Sequence, residues 1–195
     1  MSRLGRAVMA AAVALLLAAC VPVSNQPLSD PATARLTPEL AGVWTARIEN
    51  EQAGLHILFR DERLAELLLT AERRGNEGPR GEWMAFTFFP SRIGGHDYVN
   101  LRYVTQSGAN QAEPPEGYLF AHYRLSPDGS LDVWTMSAGG AKQAIQSGLA
   151  GEIKKGKWVD EVRFAATTAE LAAYLASHDP KTLFAEHMGT FRRLK

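Results

Sequence analysis

The chain has 195 residues, 21 basic and 21 acidic residues, and a single cysteine. The balanced charge excludes a broad basic surface of the kind that binds nucleic acid or anionic lipid headgroups. The single cysteine excludes an intramolecular disulfide and a cysteine-rich metal site.

The chain opens with a segment typical of an export signal. Two arginines stand near the start, residues 7–17 are apolar and uncharged, and two alanines follow. This order of regions is that of a secretory signal peptide. The apolar run is shorter than the roughly 20 residues that a membrane-spanning helix needs. We therefore predict a cleavable signal peptide over residues 1–19.

The residues Leu17, Ala18, Ala19 and Cys20 resemble the lipobox of bacterial lipoproteins. The resemblance implies cleavage before Cys20 and attachment of diacylglycerol to its sulfur, usually with an acyl chain on the new terminus. Three chains meet the requirement for more than one lipid in stable anchoring. Because Val21 and not Asp follows the cysteine, the resemblance implies anchoring at the periplasmic face of the outer membrane. An inner-membrane anchor and secretion are the alternatives.

The next segment, residues 20–35, is rich in proline and polar residues and has no apolar periodicity. Such a composition is typical of an extended linker. We predict that residues 20–35 form a flexible tether from the lipidated cysteine to one globular, mostly-β domain over residues 36–195.

Alternating apolar and polar residues, the pattern of a strand with one buried face, recur through this domain. The predicted strands are 42–49, 54–61, 81–91, 97–106, 116–126, 131–137, 157–167 and 188–195. Turn residues at 126–130 predict an antiparallel hairpin. Residues 63–74 fit either a helix or a strand, and the flanking strands favour a strand.

Two helices are predicted late in the chain. Glycines bound an apolar-periodic segment at 140–151, and Thr167 and Glu170 form a capping box at the start of a helix over 167–178. Seven or eight strands with one or two helices near the C-terminus predict a mainly β fold, either a small antiparallel barrel or a strongly curved sheet. A closed barrel would leave no exposed strand edges.

Gly42 and Trp44 stand at the start of the first predicted barrel strand, and this stretch resembles the Gly-x-Trp start of lipocalins. The order of strands, late helix and final strand is also similar. The resemblance implies that the tryptophan packs across the barrel floor and that an arginine near the chain end lies on it by a cation–π contact. Arg192 and Arg193 are both candidates for that arginine.

No motif for catalysis or metal binding is present in the sequence. The five histidines lack the spacing of a zinc site, and there is no Gly-x-Ser-x-Gly nucleophile elbow. We therefore expect no catalytic residue, no metal and no cofactor. The adjacent His96 and Asp97 fit either a general base with its carboxylate or, because neighbours on an extended chain point apart, an ordinary turn.

A second set of residues lies on the opposite faces of the predicted strands. These candidate ligand-lining residues are His56, Tyr98, Asn100, Arg102, Tyr118, Phe120, His122, Arg124 and Trp134. Three interpretations are open. The face is covered by helices, it is a surface with scattered aromatic residues, or it lines a cavity with a few polar groups for a small molecule.

The leading hypothesis is a non-enzymatic lipoprotein that binds a small apolar or amphipathic molecule at the cell envelope. The alternative is a module that docks an envelope protein, which predicts a contiguous exposed apolar patch. A third hypothesis, a periplasmic hydrolase with His96 or His122 as base, predicts a nucleophile and an acid beside the histidine.

Overall fold

The computed structural model describes residues 21–48, 51–75, 78–107, 116–156 and 160–194. The predicted signal peptide and Cys20 therefore lie outside the described residues. Within the described ranges, no helix has the length and apolar character needed to cross a membrane.

Eight antiparallel strands close into a barrel, which confirms the predicted fold class. The strands in the described part of the chain are β1 (Val23–Ser24), β2 (Gly42–Ile48), β3 (Glu51–Phe59), β4 (Ala65–Gly75), β5 (Gly78–Ile93), β6 (His96–Gln106), β7 (Leu119–Leu125), β8 (Ser130–Thr135), β9 (Gly151–Lys154), β10 (Glu161–Phe164) and β11 (Glu186–Arg193). Strands β2 to β8 follow in chain order, and β11 closes the barrel between β8 and β2. The ambiguous segment 63–74 is a strand, as its neighbours favoured.

The remaining strands, β1, β9 and β10, form a separate small sheet in which β1 is parallel to β10. The strand predicted over 157–167 is found as β10, but it lies outside the barrel, and residues 157–159 are not among those described. Strand β9 was not predicted, because its four residues carry too short an alternating pattern.

The α-helices among the described residues are α1 (Ala138–Gln146), α2 (Thr168–Ser177) and α3 (Pro180–Leu183). The predicted capping box is confirmed, since Thr167 and Glu170 each bond the other's backbone N–H. The helix predicted over 140–151 starts two residues earlier, at Ala138, and ends at Gln146. Gly148 follows with a φ of +107°, which ends the helix in a conformation that favours glycine.

The strands of the barrel bury apolar side chains on their inner faces. Successive side chains of a strand point to opposite faces, so Leu55 and Ile57 of β3 point inward between outward-pointing neighbours. Inward residues of all eight strands, including Trp44 of β2 and Phe191 of β11, form one apolar core. This core is the interior of the barrel.

A second apolar core lies outside the barrel, between β6–β8 and the helices. Its members include Tyr98 and Phe120 from the outer barrel face, Phe164 from β10, Leu171 from α2 and Phe184 after α3. Of the three interpretations of this outer face, helix cover is therefore the one that the structure confirms. The cover explains why both faces of these strands are apolar.

The prediction of a flexible tether over residues 20–35 is wrong for the residues described. Residues 21–41, called the strap below, run along the barrel and are anchored along their length. Val23 and Leu28 are buried, with Leu28 only 1% exposed. Proline and polar residues hid this role, because the bonds that fix the strap to the barrel, such as those to Tyr118 and Asn100, come from distant strands. The domain therefore begins before residue 36.

Asn100 of β6 fixes the middle of the strap. Its side-chain oxygen accepts the N–H of Leu28 at 2.7 Å, and its Nδ2 donates to the Ser91 hydroxyl at 2.7 Å and to the Phe89 carbonyl at 3.2 Å. Ser91 in turn bonds the hydroxyl of Ser29 at 2.6 Å. Asn100 is fully buried, so it can stay on an apolar face only because its polar atoms are paired.

We predict that Asn100→Ala lowers the free energy of unfolding by about 1–3 kcal/mol, because the buried Leu28 N–H loses its acceptor. Urea denaturation measures the change. The loosened strap should also make trypsin cleave faster after Arg35. Ser29→Ala removes one less buried hydrogen bond and is the matched control. A variant as stable as the natural protein would contradict the role given to Asn100.

Candidate ligand-binding site

The barrel interior is not completely filled by side chains and contains a cavity of about 90 Å³. Its walls come from all eight barrel strands except β2, together with the strap. The lining residues are Val21, Leu40, Leu55, Ile57, Leu67, Leu69, Phe86, Phe88, Val99, Leu101, Leu119, Phe120, Ala121, Tyr123, Leu131, Val133, Thr135 and Met188. No charged side chain is among them.

The cavity extends along the barrel axis. At the upper end, where β7 begins and β8 ends, Leu119, Thr135 and the strap residue Val21 contribute to the wall. At the lower end, where β2 begins and β11 ends, Leu40 and Leu131 contribute. Residues 131 to 135 of β8 alone span about 13 Å at the usual rise per residue. Because the volume is small for this length, the cavity is a narrow slot.

The lower end of the barrel is closed by Trp44. Its indole is 2% exposed and donates to the Leu40 carbonyl at 2.9 Å. The Arg193 guanidinium lies over the indole, with Cζ 5.1 Å from the ring centroid, and donates to the carbonyls of Glu39 and Ala41. Of the two arginines suggested by the Gly-x-Trp resemblance, Arg193 is the one on the tryptophan.

Gly42 allows this closure by its backbone conformation. Its φ of +127° is one that other residues adopt only with strain. A Cβ at this position would lie 3.6 Å from the Arg193 Nε, an ordinary contact. The need for glycine here therefore comes from the entry angle of the chain into β2 and not from lack of space.

The predicted ligand-lining residues do not line this cavity, with the exception of Phe120. His56, Tyr98, Asn100, His122 and Trp134 alternate with the inward residues and so lie on the outer face of the barrel. Arg102 lies over the ring of Tyr118 at 5.3 Å, and Arg124 is exposed. The sequence identified which residues share a face and left open whether that face is covered by helices, is exposed or lines a cavity.

On that outer face, four rings form a row across neighbouring strands. Tyr98, His122, Trp134 and His187 are direct partners in the register of β6, β7, β8 and β11. Their ring centroids are 5.3, 5.0 and 5.2 Å apart in that order. Phe184 covers Tyr98 at 5.3 Å. Such spacing is typical of favourable aromatic packing, so this row anchors the helical cover.

Burial changes the acid–base behaviour of two rings in the row. Burial raises the pKa of Tyr98 to about 12, and its hydroxyl has no hydrogen-bond partner among the described residues. Burial, with the nearby His96 and Arg124, lowers the pKa of His122 to about 4. His122 is therefore neutral at neutral pH.

Beside the row, Asp132 of β8 collects three partners. It accepts from the Thr190 hydroxyl at 2.5 Å and from Arg124 at 2.9 Å, and His187 Nε2 lies 3.7 Å away. Burial acts to raise the pKa of Asp132, but the bonds from Thr190 and Arg124 outweigh it and keep the pKa below its usual value. The carboxylate thus ties β7, β8 and β11 together.

The histidines proposed as bases are not arranged for hydrolysis. His122 contacts aromatic rings, and His96 lies 5.7 Å from the His122 ring. Asp97 pairs with Arg92 at 3.0 Å and not with His96. Among the described residues, no group of three side chains that could hold a metal ion is found.

The cavity residues that sequence reasoning missed had only a weak signal. Alternation put Leu101 and Ala121 on one face of their strands, but it gave no reason to choose that face over the equally apolar opposite one. Val21 gave no signal, because it lies among the prolines of the strap. Counting small residues on each face would have pointed to Ala121 as a place where the barrel wall leaves room.

No protein-family model, curated protein or solved structure matches this chain significantly. The function therefore has to be argued from the cavity and its surroundings.

The depressed pKa of His122 predicts a pH-dependent stability. Between pH 6.5 and pH 4 the unfolded chain binds a proton at this histidine that the folded chain does not. The free energy of unfolding therefore falls as the pH is lowered through this range. Urea denaturation from pH 7 to pH 4 measures it, and the His122→Phe variant should show a shallower dependence. An NMR titration that shows His122 protonated at pH 6 would contradict the assignment.

Proposed function

We propose that this protein is a lipid-anchored, non-enzymatic binding protein of the cell envelope whose barrel holds the alkyl part of a small amphipathic molecule. The observation that carries the proposal is the cavity of about 90 Å³ inside the barrel. Apart from Thr135 and the hydroxyl of Tyr123, its walls are hydrocarbon and aromatic. Such a lining recognises a ligand by apolar contact alone.

An apolar cavity favours an apolar occupant for two reasons. Water inside it would have too few polar partners, so such cavities stay dry. The side chains around empty space also lack contacts on one side and gain dispersion energy when it is filled. An incoming alkyl chain satisfies both conditions and leaves no polar group unpaired.

The size of the cavity restricts the occupant further. Pockets for drug-sized ligands enclose roughly 300–1,000 Å³, and an engineered cavity of about 150 Å³ is known to hold benzene. The cavity here is about 90 Å³ and narrow. It therefore suits a single unbranched chain better than a ring system. Thr135 lies at the upper end and carries a hydroxyl, so we place the polar headgroup of the ligand beside it.

The anchoring part of the proposal rests on the lipobox resemblance at residues 17–20. Lipid on Cys20 would keep the barrel at a membrane surface, where amphipathic molecules are concentrated. Anchoring at the periplasmic face of the outer membrane follows from Val21 after the cysteine, as the resemblance implies.

The alternative function, docking of an envelope protein, has one observation in its favour. Trp83 of β5 and Val104 of β6 are 39% and 54% exposed on adjacent strands. Contiguous exposed apolar residues mark interaction surfaces. Trp83 bonds Ser107, three residues along the chain from Val104, so the two side chains are not direct cross-strand neighbours and ligand binding is the preferred proposal.

We predict that the protein binds a fluorescent polyene fatty acid such as cis-parinaric acid and that Val133→Trp weakens this binding at least tenfold, because the indole fills the cavity. Fluorescence titration measures both. Val104→Trp is the matched control, since the same substitution on the exposed face should leave binding unchanged. Equal binding by both variants would show that the probe binds elsewhere.

The anchoring proposal predicts a lipidated N-terminus. Mass spectrometry of the mature protein from bacterial membranes should show acyl groups on a chain that begins at Cys20. Cys20→Ala should leave the precursor uncleaved at that site, because the sulfur that accepts the lipid is gone. An unmodified mature terminus at another residue would contradict the lipid anchor.

A further inference from the structure

We propose that part of one acyl chain of the lipidated Cys20 occupies the barrel cavity of the same molecule. This inference rests on the proposed function, since it requires both the lipid on Cys20 and an apolar chain-binding barrel. It goes beyond that function by naming the occupant: the chain's own lipid, which any free amphipathic molecule must displace.

The position of Val21 carries the inference. Val21 is the first described residue, and it lines the cavity. Consecutive Cα atoms lie 3.8 Å apart across a trans peptide bond, so Cys20 is joined to the chain one residue from the cavity wall. An acyl chain on that cysteine therefore starts next to the apolar slot and needs no long linker to reach it.

The strap holds Val21 firmly at this place. Ser24 and Tyr118 bond each other's backbone in both directions at 2.8 Å, and Val23 is buried in the barrel core. Gly117 permits the close approach, since a Cβ there would lie 2.4 Å from the Ser24 carbonyl oxygen. Val23 and Ser24 are thus fixed at the upper end of the barrel, two and three residues after Val21.

The chemistry of the cavity and of the lipid match. The slot is narrow and apolar, and an acyl chain is unbranched and apolar along its whole length. A triacylated cysteine has three such chains, and two chains suffice for stable membrane attachment. One chain can therefore enter the barrel while the other two remain in the bilayer, so anchoring and occupancy are compatible.

Covalent attachment makes the own lipid a strong competitor. A ligand on a short linker has an effective concentration in the millimolar range, whereas a free amphipathic molecule in the periplasm has to reach the site by diffusion. The lipidated protein is therefore expected to bind an external fatty-acid probe at least tenfold more weakly than its unlipidated form.

Photocross-linking tests the inference on the full-length lipoprotein in the cell. Bacteria are grown with a diazirine-labelled fatty acid, irradiated, and the monomeric protein is digested for mass spectrometry. We expect cross-links from the Cys20 peptide to peptides with inward residues such as Leu119 and Val133. Val133→Phe and Val133→Trp should each reduce the yield at least tenfold without changing acylation, and Val104→Trp should leave it unchanged.

The outcomes separate the inference from the proposed function. In one outcome, Cys20 is labelled but cross-links only to lipid, while the Cys20→Ala precursor in nanodiscs binds cis-parinaric acid. This outcome would overturn the inference and leave the proposed function standing. An unlabelled Cys20 would overturn the lipid anchor itself and the inference with it. Equal probe binding by lipidated and unlipidated protein in the same nanodiscs would also overturn the inference.

Discussion

Around Tyr98, Asn100 and Phe120 the outer faces of β6 and β7 are buried as fully as the inner faces, and much of the remaining structure depends on this double burial. A barrel strand usually presents one face to the interior and one to water. Here the helices, the small sheet and the strap cover the second face. Every polar group on that face needs a partner, and Asn100 meets this need by bonding the strap. The strap that covers this part of the barrel wall is therefore held in place by the same hydrogen bonds that pair the buried polar groups of the wall.

The same double burial sets the limit of what the sequence could predict. Alternation located the barrel strands and the final closing strand, because the period of two survives on both faces. It could not say which face is inside, since Tyr98 and Phe120 are as apolar as Leu101 and Ala121. The physical quantity that separates the faces is the curvature of the closed sheet, which depends on all eight strands at once. The alternation of residues within one strand contains no information about this curvature.

The strap was missed for a related reason. Its residues have no period, and its contacts come from Asn100, Ser91 and Tyr118, far away in the chain. These contacts pair polar groups of the barrel wall with the strap, and the composition of the strap gives no sign of them. Trp44 and Arg193 show the opposite case. The Gly-x-Trp resemblance implied that an arginine near the chain end would lie on the tryptophan, although the two residues are far apart in the chain.

The segment before β2 meets the last strand, β11, at the lower end of the barrel, and this has a consequence for how the molecule assembles. Arg193 donates to Ala41 across 152 residues, and Arg163 donates to Asn25 across 138. Such contacts give the fold a high contact order, which slows folding. Ala41 is synthesised early, yet its partner Arg193 is synthesised near the end of the chain. The lower end of the barrel can therefore close only after the final strand has been made.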